Sequence, residues 1–298
     1  MIESLDLASI CDPVDPGSAA VVGATSHVLA LALRRDRARG NGTWGARPRV
    51  HWVRSLKDLD AAEMPGWRSG VHGDVAVWVG EARPDLDEHD HPVWSFFDSE
   101  DRRHIDGFVR PCDRRESLAA GFGMKVMLAA VLGIEPQGVA MRRDAAGKPR
   151  PMEHEGLHVS ASHSRGVVAV AMAGVDVGVD VEACEDYEDL AEMGQASFSP
   201  RVAEEIASRA PSPERTLLYY RHWALVEAYT KATGLGLAHD LNAIRYSSQG
   251  EPRLLECEPQ HGPAPEWAFA LRWLPRPAAT RLANEGAASN GPPAQRVP

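Results

Sequence analysis

Asp180 and Glu182 stand two residues apart in a valine-rich run, VGVDVEA. In a strand that spacing puts both carboxylates on one face, while Val177, Val179 and Val181 point the other way into a core. Paired carboxylates repel unless water or a cation screens them, and hard ions such as Mg2+ are matched to oxygen ligands. An isolated pair of this kind also fits a solvent-facing strand edge. Further on, HWALVEAYTKATGLGL (222–237) places Trp223, Glu227 and Lys231 at i, i+4 and i+8, one stripe of a helix with a glycine-rich exit. Glu before Lys at that spacing is also the usual orientation of a solvated stabilising pair. Upstream lie GKP (147–149) and SASHS (160–164). A lysine and a histidine near glycine and serine can hold a phosphate through charge-assisted hydrogen bonds, although His163 alone also fits a structural role. Ser162 beside His163 is no nucleophile elbow, because GxSxG is absent and adjacent strand residues diverge. That excludes a serine hydrolase.

These groups need elements to carry them. VVAVAMA (167–173) and VGVDVEA (177–183) are separated by three residues and read as a hairpin. VHGDVAVWVG (71–80) reads as a strand closed by glycine, and GVAMRRDAAGKPRP as a short strand running into a Gly-Lys-Pro turn. Residues 114–133 place Leu118, Phe122, Val126 and Ala129 at helical spacing, with Gly133 as a stop. His89 and His91 sit among carboxylates in DEHDHP, which reads as a solvated acidic loop because no third histidine lies at ligand spacing. The arginine-rich segment 34–49 reads as a solvated loop, and the Pro-, Ala- and Gly-rich segment 276–298 as a disordered tail.

The order GKP, SHS, GVDVE, W-x-x-x-E-A-x-x-K-x-x-G resembles the Sfp-type 4'-phosphopantetheinyl transferases over roughly residues 71 to 275. Each motif is weak alone; four in the family's order are specific. The resemblance implies an α+β fold, a pseudo-two-fold pair of similar halves with coenzyme A and Mg2+ in the cleft between them. The halves would be 71–165 and 166–275, with 1–70 as an unmatched N-terminal extension. It also implies that Asp180, Glu182 and Glu227 hold the metal. Lys148 and His163, with Ser162 beside them, would grip the phosphates of the 3'-phospho-ADP portion. Lys231 would steady the pyrophosphate and leaving group, and Arg103 would be the basic residue ahead of the first helix. The implied reaction moves phosphopantetheine from coenzyme A to a serine of an acyl or peptidyl carrier protein, of the kind used in secondary metabolite biosynthesis. Glu227 or a metal-bound water would serve as base.

Three positions depart from the family pattern. Val226 stands where W-x-x-K-E-A has lysine, Val202 where a glutamate follows F-S-P, and Glu116 where arginine is common. Glu204 or Glu205 could replace the lost glutamate from the next helical turn. Each lost charged contact costs on the order of 1.5 to 3 kcal/mol if buried. The same departures fit a homologue that no longer transfers, either a coenzyme A or carrier-protein binding module or an enzyme recruited to another reaction.

The 298 residues carry 32 basic and 42 acidic side chains, net −10, which argues against general nucleic-acid binding. Four cysteines without a CxxC pair fit neither a disulfide scaffold nor a thiolate zinc site. The N-terminal stretch lacks the order of a secretory signal, and the longest apolar run, 118–134, is broken by Lys125 and too short for a bilayer. The expectation is a cytoplasmic monomer without a membrane span.

Overall fold

The computed structural model describes residues 25–34, 49–53, 56, 74–88, 90–152, 154, 156–236, 240–257 and 264–275. The expected tail at 276–298, residues 35–48 of the arginine-rich segment, and His89 lie outside them. The strands are β1 (Thr25–Arg34), β2 (Arg49–Val53), β3 (Asp74–Glu81), β4 (Met141–Arg143), β5 (Pro149–Pro151), β6 (His158–Ser164), β7 (Val167–Ala173), β8 (Val177–Ala183), β9 (Arg245–Tyr246), β10 (Leu254–Glu256) and β11 (Trp267–Pro275). The helices are α1 (Ser99–Asp106), α2 (Pro111–Leu132), α3 (Leu190–Ser197), α4 (Pro200–Ala207) and α5 (Pro213–Thr233).

Two sheets pack face to face. One has the order β11-β1-β8, the other β2-β3-β7-β6. Leu29, Leu31, Leu33, Val177, Val179 and Val181 of the first meet Val75, Val77, Val79, Val167, Ala169 and Ala171 of the second. On the far side of the first sheet, α5 lays Leu225, Ala228 and Tyr229 over Val28, Ala30 and Ala32. On the far side of the second, α2 lays Leu118, Met127 and Leu128 over Ala76, Trp78 and Val170. The result is a mixed α/β stack of helix, sheet, sheet and helix, in which each sheet buries both faces. Among the described residues no helix is long and apolar enough to cross a membrane.

Both long helices begin with proline at the first turn and end on a left-handed glycine, Gly133 at φ 70° and Gly234 at φ 78°. Proline there loses no helical hydrogen bond, and glycine adopts positive φ without a Cβ clash.

One sequence reading changes. The strands 167–173 and 177–183 form no hairpin: β7 pairs with β3 and β6, β8 with β1, and the link between them crosses from sheet to sheet. All seven residues of β7 are buried, so that strand is wanted at the centre of its own sheet. The hairpin is β6–β7, closed by Arg165 at φ 49° and Gly166 at φ 85°, the paired positive φ of a two-residue turn. Within the segment 1–70, residues 25–34 form β1, the central strand of the first sheet, with Val28 to Leu33 wholly buried. Its run VLALAL is continuously apolar because both faces are covered.

Candidate functional site

The face of β8 turned towards α5 carries Gly178, Asp180 and Glu182, opposite Ala32, Ala30 and Val28 of β1. Gly178 sets the spacing. A Cβ there would lie 1.9 Å from the Ala228 carbonyl oxygen and 2.6 Å from the Ala232 nitrogen, so α5 reaches β8 only because this residue has no side chain. From that helix Lys231 Nζ donates to Asp180 Oδ1 at 2.5 Å and to Ser162 Oγ at 2.9 Å, while Ser162 Oγ donates to Asp180 Oδ1 at 2.8 Å. Two turns earlier Trp223 Nε1 donates to Glu182 Oε1 at 3.2 Å, and Ser164 Oγ donates to Glu182 Oε2 at 3.1 Å. Trp223 and Lys231 thus bracket the two strand carboxylates, and Glu227 occupies the turn between them on the same helical stripe.

Asp180 is only 1% exposed, and its Oδ2 is buried without a hydrogen-bond partner. A buried acceptor left unmade costs about 1–3 kcal/mol, more for a charged group, so this oxygen marks a place for a cation. All-carboxylate donors suit Mg2+, and in that respect Asp180, Glu182 and Glu227 fit the ion. As the site stands, no three His, Cys, Asp or Glu side chains among the described residues are gathered closely enough to hold a metal. Lys231 supplies the positive charge at Asp180 instead.

The serines of β6 perform a task the sequence reading did not assign. Ser160 Oγ accepts from the Val179 amide at 3.0 Å and Ser164 Oγ from the Ala183 amide at 3.1 Å. Side chains of one sheet thereby satisfy the edge amides of the other. The signal was present as the period-two spacing of Ser160, Ser162 and Ser164. Ser162 itself lies on Asp180.

Beside this face opens a cavity of about 570 Å³. Arg103 of α1, Lys148 of the β4–β5 turn, His163 of β6 and Lys231 of α5 all line it, so four of the expected cofactor-binding residues share one cleft. Its volume falls within the range of about 300–1,000 Å³ usual for small-molecule sites. Arg103 is exposed, and its Nε donates to the Ser99 carbonyl at 3.1 Å. The His163 imidazole lies 2.7 Å from Glu116 Oε2, and because a carboxylate only accepts, Nδ1 carries the proton. Glu116 Oε1 accepts from the Gly166 amide at 2.6 Å, so Glu116 ties His163 and the β6–β7 turn to α2. The Lys148 ammonium donates to the carbonyls of Ala232 at 2.7 Å and Val177 at 3.3 Å. Burial lowers its pKa to about 8, against the raising influence of Asp176.

The departures Val202 and Val226 are 3% and 1% exposed and belong to the core beneath α5. Glu205 pairs with Arg209 and accepts from Ser248 Oγ, and Glu204 is exposed; neither lines the cleft.

A family model described as the 4'-phosphopantetheinyl transferase superfamily matches residues 176–279, which contain β8, α5 and β11. That segment of the chain is similar to the 4'-phosphopantetheinyl transferase superfamily. The 4'-phosphopantetheinyl transferase HetI of Nostoc sp. is 30% identical over 144 residues, covering 47% of this chain and 60% of that protein. A phosphopantetheinyl transferase of Thraustochytrium sp. is 24% identical over 211 residues, covering 66% and 73%. The 4'-phosphopantetheinyl transferase of Bacillus subtilis is 23% identical over 146 residues, covering 49% and 64%. The chain thus spans about three-fifths of the length of several curated relatives it matches. Asp180, Glu182, Glu227 and Lys231 all fall inside the matched segment.

Proposed function

We propose that this protein transfers 4'-phosphopantetheine from coenzyme A to a serine of an acyl or peptidyl carrier protein in a Mg2+-dependent reaction. The observation that carries this reading is the bracketing of Asp180 and Glu182 by Lys231 and Trp223, with Glu227 between them, at the edge of a basic cleft. Arg103 and His163 hold the phosphates of the nucleotide end. Asp180, Glu182 and Glu227 are the residues that would hold Mg2+, which when bound supplies neutralising charge for the phosphoryl oxygens. The carrier serine oxygen attacks the β-phosphorus of coenzyme A, the bond from that phosphorus to the bridging oxygen breaks, and 3',5'-ADP departs. Lys231, which reaches both Asp180 and the cleft, stabilises the departing phosphate. Glu227 takes the serine proton.

The two helix-covered sheets are read as pseudo-two-fold halves, supported by their long helices of 22 and 21 residues and by a cleft that draws on both. The protein is read as a cytoplasmic monomer acting on carrier proteins and coenzyme A. Incubation with coenzyme A, Mg2+ and a set of apo carrier domains, followed by intact mass, tests the assignment. A mass gain of one phosphopantetheine is expected, and unmodified carriers in every combination would overturn it.

A second reading rests on Val202 and Val226, which place core residues where the family has charges. In that reading the cleft binds coenzyme A without transfer. Calorimetric binding of coenzyme A with no carrier modification would select it.

A further inference from the structure

Lys148 lines the cleft, yet its ammonium is turned into the protein. It is 7% exposed and donates to Ala232, in the last turn of α5, and to Val177, the first residue of β8. Ala232 directly follows Lys231, and Val177 stands three residues before Asp180. These two carbonyls flank the point where α5 and β8 approach most closely, at Gly178. A cation at the C-terminal carbonyls also opposes the negative end of the helix dipole. The turn that presents Lys148 is itself fixed: Asp144 Oδ1 accepts from the Lys148 and Ala146 amides at 3.0 and 3.1 Å, and Asp144 Oδ2 from Arg150 Nε at 3.1 Å.

We propose that Lys148 is a positioning residue that clamps the end of α5 to the start of β8 and thereby sets Lys231 on Asp180, rather than a ligand of the coenzyme A phosphates. The claim about catalysis rests on the transferase reading; the clamp itself does not. The charged groups around the ammonium are Asp176 ahead of β8, which His158 pairs at 3.0 Å, and Arg150 and Asp144 on its own hairpin.

The test is Lys148→Met in the full chain, which keeps the buried stem and removes the donor. Without ligand and at fixed pH, amide exchange at residues 230–234 should accelerate roughly tenfold relative to β3, as loss of charge-assisted hydrogen bonds implies. Coenzyme A should bind within about twofold of wild type, and kcat should fall while KM for coenzyme A stays, the split that loss of positioning produces. Unchanged exchange, or a coenzyme A dissociation constant raised about tenfold or more, overturns the proposal. Should wild type neither bind coenzyme A nor modify carriers, the transferase reading fails and exchange alone decides the clamp. If the variant does not fold, wild type at about pH 7 and about pH 9 replaces it, since the ammonium titrates near 8. After correction for intrinsic base catalysis, relative acceleration at 230–234 supports the clamp, and its absence overturns it.

Discussion

Restoring the family lysine at position 226 is predicted to damage the protein. Val226 is 1% exposed, on α5 within the core that includes Phe198, Val202 and Tyr229. Val226→Lys forfeits about 1.5–3 kcal/mol of apolar burial if the longer chain packs poorly. The ammonium must also either desolvate or lose its proton. Losing it at pH 7 from a free value near 10.4 costs about 4–5 kcal/mol, which bounds the charge penalty. A net loss of about 3–6 kcal/mol approaches the whole stability of an ordinary domain, roughly 5–15 kcal/mol. The sign with pH is fixed. A lysine whose folded pKa is depressed binds fewer protons folded than unfolded, so the variant recovers relative to wild type as pH rises towards the unfolded value. Between pH 7 and pH 9 the recovery should be about 2.7 kcal/mol if the folded pKa lies below 7. Urea unfolding of both proteins at the two pH values measures it. A variant as stable as wild type, showing a gain in carrier modification, would refute the burial argument and restore the family's basic residue to the site.

Three further substitutions probe the same face. Glu227→Gln should abolish Mg2+-dependent carrier modification while leaving the thermal midpoint within a few degrees, because Glu227 is only half-buried on α5; retained turnover by intact mass would count against its role. Lys231→Met removes the cation at a carboxylate that is 1% exposed and should cost about 3 kcal/mol or more, the scale for stranding one member of a buried pair. Added Mg2+ should raise the midpoint more in that variant than in wild type, and equal shifts would show that no cation enters at Asp180. Gly178→Ala drives a methyl to within 1.9 Å of the Ala228 carbonyl oxygen, a backbone contact that cannot be relieved by a side-chain rotation. Denaturation should show a loss of at least about 1–3 kcal/mol, the usual overpacking cost, with carrier modification falling as α5 is pushed from β8.

The arrangement of the candidate site residues was legible because period two and period 3.6 survive in sequence: Asp180 and Glu182 share a strand face, and Trp223, Glu227 and Lys231 a helix stripe. What those side chains touch was not legible. Nothing in GKP tells that Lys148 turns back onto Ala232 and Val177, because those carbonyls lie 84 and 29 residues away in sequence. Strand pairing was lost for a related reason. β7 is apolar on both faces, so its pattern specifies burial without specifying which sheet receives it, and β1 gives the same ambiguous signal. The burial of Val226 was hidden because α5 is buried around most of its circumference, with Arg221, His222 and Thr230 among its buried residues, so its sequence leaves no single apolar face to mark as the core.

The central claim is that Asp180, Glu182 and Glu227 share one divalent cation at the mouth of the coenzyme A cleft. Crystals grown with coenzyme A and Mn2+ in place of Mg2+, measured at the manganese edge, test it most directly. The account predicts one anomalous peak bonded to Asp180 Oδ2 and shared with Glu182, Glu227 and the pyrophosphate. A nucleotide bound in the cleft with Lys231 still on Asp180 and no peak beside it would contradict the account.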